Sequence, residues 1–165
     1  MLSSTEPSAV MRKRYRVLYS LSQTFFCCYA PPTTSCWMAI AIIRTDDYDS
    51  IRHSSYERTQ RKIYKAEGLL SENFAFEKPI PLTGWADIFR TLKRYDIHVI
   101  IESIDGNSID FRIGPIKRVT EKSVTIHNYD PDGKLEEKPT NIRYDAISIV
   151  QFGDRYSTVF RKYLK

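Results

Sequence analysis

Cysteine and histidine are scarce in this chain of 165 residues, with three of each. All three cysteines, Cys27, Cys28 and Cys36, lie near the N-terminus. A disulfide scaffold is therefore not expected, and Cys28 and Cys36 stand too far from any histidine or further cysteine for a structural zinc site, which needs four convergent ligands. His53, His98 and His127 are widely separated. None falls in a spacing that suggests a ligand cluster or a Ser/His/Asp set. Long apolar runs are also missing. The stretch from Met11 to Ala30 begins with Arg12, Lys13, Arg14 and Arg16, as a secretion signal would, but Ser20, Ser22, Gln23 and Thr24 break its apolar part. No run approaches the roughly 20 residues of a membrane span, so a cytoplasmic protein with no membrane partner is expected.

What the chain does have is apolar and aromatic content sufficient for a packed core, at 42% and 13%. Its net charge of +5 is unevenly spread: residues 1–65 carry ten Lys/Arg against five Asp/Glu, and residues 66–165 carry fifteen of each. A region without excess positive charge is a weak phosphate-backbone binder, so any polyanion partner should meet the N-terminal part. Residues 1–37 are expected to be a disordered leader or start-site extension, with Met38 as an alternative start, and 38–78 a basic helical extension. Within the latter, Ala39 to Ile43 is short and apolar enough to add an edge strand or simply to bury a tail, and Ser50 to Leu70 reads as a helix stopped at Gly68.

The third region, 79–165, has the clearest pattern. Pro79 and Pro81 hold the entry extended. Thr83 is placed to cap a helix, and Trp85, Ile88, Phe89, Leu92 and Tyr95 form one apolar stripe along it. His98 to Ile104 alternates, with Val99, Ile101 and Ser103 on one face and Ile100, Glu102 and Ile104 on the other. After the turn at Asp105-Gly106-Asn107, Ser108 to Val119 reads as a long strand bent at Gly114-Pro115. Val124 to Tyr129 follows, then the turn Asp130-Pro131-Asp132-Gly133, which lacks the further ligands of a calcium loop. Lys134 to Arg143 is read as a fourth strand, kinked or at an edge because of Pro139. A helical turn at Tyr144 to Ile147, a fifth strand from Ser148 to Phe152 and a short helical hook carrying Tyr156, Val159, Phe160, Tyr163 and Leu164 complete the chain.

An N-terminal amphipathic helix, five short strands with a bent second, and a helical turn before the fifth resemble an Sm-like or SH3-like small barrel. The stretch from Trp85 to Leu164 also resembles a group of small bacterial proteins, through Gly114, Ile116 and Val119, then Tyr129, Asp130 and Gly133. Asp145 and Ile147 follow, and the ending matches at Phe152, Arg155, Tyr156, Phe160, Lys162, Tyr163 and Leu164. This resemblance implies a mainly β fold, and no activity. RNA-binding Sm proteins hold a base near an aspartate and an asparagine, with an arginine-glycine pair at strand five. Here Asn128 and Asp130 stand near the end of strand three, while Val150-Gln151-Phe152-Gly153 has no arginine.

No catalytic set, metal or cofactor is expected, and the function expected is a non-catalytic protein-binding or scaffold module. Its partner would meet an edge strand, or a second copy would join through strands four and five. Arg155 and Tyr156 could present a guanidinium and a ring to a ligand, and Tyr129 a stacking surface. The alternative is RNA binding through the basic tail, Arg12 to Arg16, and Arg58, Arg61, Lys62 and Lys65, together with the barrel loops.

Overall fold

A computed structural model of the chain describes residues 17–21, 25–30, 39–47, 55–67, 80–105 and 108–165. Strands dominate: β1 (Val17–Leu21), β2 (Phe25–Ala30), β3 (Ala39–Arg44), β4 (His98–Asp105), β5 (Ser108–Val119), β6 (Ser123–Ile126), β7 (Thr140–Arg143) and β8 (Ile147–Phe152). Helix α1 (Ser55–Ala66) precedes β4, as does α2 (Trp85–Arg94), and α3 (Arg155–Phe160) follows β8. The expected turn between β4 and β5 falls at residues outside this description, as do Pro79 and the segment before it.

Six strands form an open antiparallel sheet in the order β1-β2-β3-β8-β4-β5, and the far half of β5 carries the ladder on to β6 and then β7. The bend expected at Gly114-Pro115 is where β5 changes partners. Its pairing with β4 ends at His98↔Pro115, and its pairing with β6 begins at Ile116↔Ile126. Glycine is required there, because a Cβ on residue 114 would stand 2.1 Å from the backbone oxygen of His127. That close approach lets His127 N–H reach Pro115 O at 3.1 Å and Tyr129 N–H reach Ile113 O at 3.1 Å.

Several expectations need correcting. The five strands of the C-terminal region are β4 to β8, but they do not close into a barrel. Three further strands extend the sheet through β3, which pairs with β8 along Ile40↔Phe152 to Ile43↔Ile149. The amphipathic helix α2 is therefore not at the N-terminal end of the fold. Two strands also fall within the stretch expected to be a leader. Thr83 does not cap α2. Gly84 occupies the cap position without a side-chain bond, and the Thr83 hydroxyl donates instead to Asp87 Oδ2 at 2.7 Å. The fourth strand is shorter than expected: Lys134 to Pro139 is irregular apart from one bridge, Tyr129↔Leu135.

Side-chain alternation places two different cores on the two sides of the sheet. On one side Trp85, Ile88, Phe89 and Leu92 of α2 pack against Val99 and Ile101 of β4, Val124 and Ile126 of β6, Val150 and Phe152 of β8, and Ile40 and Ile42 of β3. The end of α2 is closed by Asp96 in the left-handed conformation, with Ile97 N–H bonded to Leu92 O at 3.0 Å and Asp96 N–H to Lys93 O at 3.0 Å. This is a Schellman closure with aspartate where glycine is usual. On the other side Ile100, Ile113 and Tyr129 are covered by Tyr156, Phe160 and Leu164. Among the described residues no helix is long and apolar enough to cross a membrane.

Candidate binding surface

The end of the sheet at β7 has unpaired backbone groups. Among the described residues β7 pairs on one side only, with β6, through Ser123↔Arg143, Val124↔Ile142, Thr125↔Asn141 and Ile126↔Thr140. Which of its groups point away from the sheet follows from one bond. Tyr144 N–H donates to Lys122 O at 3.0 Å. In this register Lys122 and Tyr144 stand opposite each other, so theirs is a bonded pair, and alternation makes Val124/Ile142 bonded as well. Ser123/Arg143 and Thr125/Asn141 are then the non-bonded pairs, so the N–H and C=O of Asn141 and the N–H of Arg143 face outward, while the C=O of Arg143 opens the 3-10 turn that follows. Both residues are exposed. The edge is short, because Pro139 stands just before it and a 3-10 turn at Tyr144–Ala146 follows it.

A groove of about 520 Å³ runs beside this edge, lined by Glu121, Lys122, Ser123, Asn141, Arg143, Tyr144 and Asp145. Its walls are held by specific bonds. The Tyr144 hydroxyl donates to Thr120 O at 2.8 Å, and the ring stacks on Phe89 at 5.9 Å, so the side chain is anchored in the α2 core. Burial pushes this phenol up to about 12. Arg143 Nε donates to Asp145 Oδ1 at 3.1 Å, and a second bond joins the guanidinium to Oδ2. Arg143 thus holds the Asp145 carboxyl below the usual carboxylate range. Thr125 Oγ1 donates to Asn141 Oδ1 at 3.2 Å, which steadies the amide on β7.

The residues singled out in the sequence lie elsewhere. Tyr129 is 2% exposed, and burial, before the nearby Asp154, pushes its phenol well above its ordinary value. Tyr156 is half-buried and stacks on Phe160 with ring centres 4.0 Å apart. The structure brings Tyr129 and Tyr156 together as core beneath α3, not as an open stacking surface. Arg155 opens α3, and its side chain lies outside the described residues. Arg58 and Lys62 stand one turn apart on an exposed face of α1, whereas the side chains of Arg61 and Lys65 lie outside the description. Asn128 and Asp130 are engaged internally: Asn128 accepts from Ile113 N–H at 2.7 Å and donates to Glu136 at 2.8 Å, while Asp130 Oδ1 accepts from the N–H groups of Asp132 and Lys134.

Sequence reading named an edge strand but missed the residues that matter on it. Asn141 and Arg143 are ordinary polar residues at strand spacing, and the only local signal was Pro139. No protein-family model, curated protein or solved structure matches the chain.

Proposed function

We propose that the chain is a non-catalytic binding module that takes an extended segment of a protein partner onto β7 by strand addition. The observation that carries this reading is the outward backbone of Asn141 and Arg143 beside an open groove. Two N–H groups and the C=O of Asn141 would give an incoming strand its hydrogen bonds, the C=O of Arg143 being taken by the turn that follows, and the groove would hold its alternate side chains. The short edge limits indiscriminate pairing, which a longer flat one would invite. Strand order β8-β4-β5-β6-β7, with a bent β5 and a turn before β8, supports reading this part as an Sm-like or SH3-like unit left open. In that unit β8 already has β3 on its outer side, so of the two strands considered for self-association only β7 is one-sided among the described residues.

Asn141→Pro and Arg143→Pro each remove an outward N–H without removing a bond to β6. The test uses extended peptides selected from a random library against the full chain, with binding followed by amide chemical shifts. Shifts centred on Asn141 and Arg143, and at least tenfold weaker binding by the two proline variants, are expected. Equal binding by variants that retain the native unfolding midpoint would rule the edge out.

The alternative, RNA binding, is favoured by the exposed cationic pair Arg58 and Lys62 on α1. Binding of a single-stranded RNA probe by that route should weaken steeply as salt rises, and Arg58→Ala/Lys62→Ala should flatten the slope by about one to two. A cytoplasmic setting suits both readings.

A further inference from the structure

His98 and Tyr129 are two polar side chains buried side by side beneath α3. His98 is 7% exposed, the ring centres are 5.8 Å apart, and neither His98 Nδ1 nor the Tyr129 hydroxyl has a hydrogen-bond partner among the described residues. Ile100 and Ile113 lie beside them, Glu102 is buried further along the same face of β4, and α3 is fastened over the pair at a few points. Phe160 stacks on Tyr129 with centres 6.3 Å apart, Asp154 caps the helix by accepting Ser157 N–H at 2.7 Å, Arg161 donates to Asp96 O at 2.6 Å and pairs with the Asp96 carboxylate, and Lys165 N–H reaches Gly133 O at 3.0 Å.

We propose that α3 is a proton-operated latch, with His98 as the group whose charging releases it. The neutral imidazole fits this apolar site, and an imidazolium does not, because desolvation penalises the charged form. The charges facing it deepen the effect. Arg161 on the end of α3 opposes a second positive charge most, Asp96, in the turn before β4, favours it less strongly than that, and Lys117 on β5 opposes it least. Asp154 and Tyr156 also face the pair, and Glu102, buried further along the same face of β4, accepts from Gln151 Nε2 at 3.3 Å; the phenol of Tyr129 stays neutral across the relevant range. Opening α3 gives the imidazolium water and removes Arg161 from its neighbourhood.

Release would uncover Ile100, Ile113 and Tyr129. Ile100 and Ile113 share their face with Phe111, Ile104 and Ile109, which register places across from Glu102, from one another and next along the hairpin. Those three are already exposed, at 54%, 43% and 60%. The latch therefore governs whether a short apolar patch becomes a long one, independently of the β7 edge.

The sign follows from linkage. His98 has its pKa lowered in the closed state and an ordinary value of about 6.5 when open. The open state binds more protons between those two values, so closure is favoured at neutral pH and lost as pH falls below about 6.5. Amide hydrogen exchange of the full chain, corrected for intrinsic rates, should show protection of Val159 and Phe160 falling about tenfold to thirtyfold from pH 7.5 to 5.0. Phe89 and Leu92 of α2 should remain the better protected throughout, and in His98→Gln the α3 response should flatten. NMR titration of His98 in the wild-type chain supplies a second reading, with a midpoint below that of a solvent-exposed imidazole expected. The latch is overturned by α3 protection that does not change with pH, by an unchanged response in His98→Gln, by α3 and α2 losing protection in step at equal levels, or by a His98 midpoint at or above 6.5.

Discussion

The two faces of the sheet are built from the same strands and differ in kind. Under α2 the packing is dry and continuous: Ile88, Phe89, Leu92, Val99, Ile101, Val124, Ile126, Ile147, Val150 and Phe152 are fully buried. Under α3 a small apolar group, Ile100, Ile113 and Tyr129, shares its space with His98, and His98 Nδ1 and the Tyr129 hydroxyl lack partners among the described residues. The first arrangement gives stability through area removed from water, and the phenol of Tyr144 packed against it titrates far above neutral pH. The second is held by a six-residue helix and a few bonds, and it contains a group whose charge depends on pH. One face is the scaffold on which β7 and its groove are fixed, and the other is free to change.

If that division is right, losses on the two faces should differ in size. Phe89→Ala, at the centre of the α2 face, should lower unfolding free energy by about 3–5 kcal/mol in a denaturant titration, and a loss near 1 kcal/mol would mean that this face is not the main core. Phe160→Ala removes a half-buried ring on the other face, and about 2 kcal/mol is expected. Its signature should be exchange of α3 amides at rates near those of an open chain while α2 amides stay protected. Asp154→Ala removes the cap of α3 and should cost about 1 kcal/mol, with the loss confined to α3 in the same exchange measurement. Asp145→Asn breaks an exposed pair with Arg143, and salt and solvent screening should leave the denaturation midpoint unmoved. A measurable shift there would show that the groove wall contributes to folding.

Much of this architecture was legible because its signals are local. The stripe from Trp85 to Leu92 repeats at the helical period, and Val99 to Ile104 alternates, so both α2 and the two-faced character of β4 could be read from neighbouring residues. Gly114-Pro115 announced the bend, although not its cause, which is the backbone of His127 lying against the missing side chain. The place of β3 was not legible. Ala39 to Ile43 is uniformly apolar and has no period, and its pairing with β8 joins segments far apart in sequence. The closed barrel failed for a related reason: closure depends on which strands meet at the ends, and pattern within a strand does not encode that. Thr83 misled because its hydroxyl found the carboxylate of Asp87 in place of a backbone N–H. Asn141 and Arg143 could not be singled out, since the outward direction of their backbone rests on the register with β6, set across the irregular stretch from His127 to Pro139.

The central claim is that β7 offers the backbone of Asn141 and Arg143 to a partner strand, and the most direct test needs no partner. Amide exchange at β7 in the isolated chain should show Asn141 and Arg143 fast and Ile142, bonded to Val124, slow by at least tenfold. The reverse order, or equal protection of all three, would mean that this edge is paired or turned inward, and the proposed docking site would be gone.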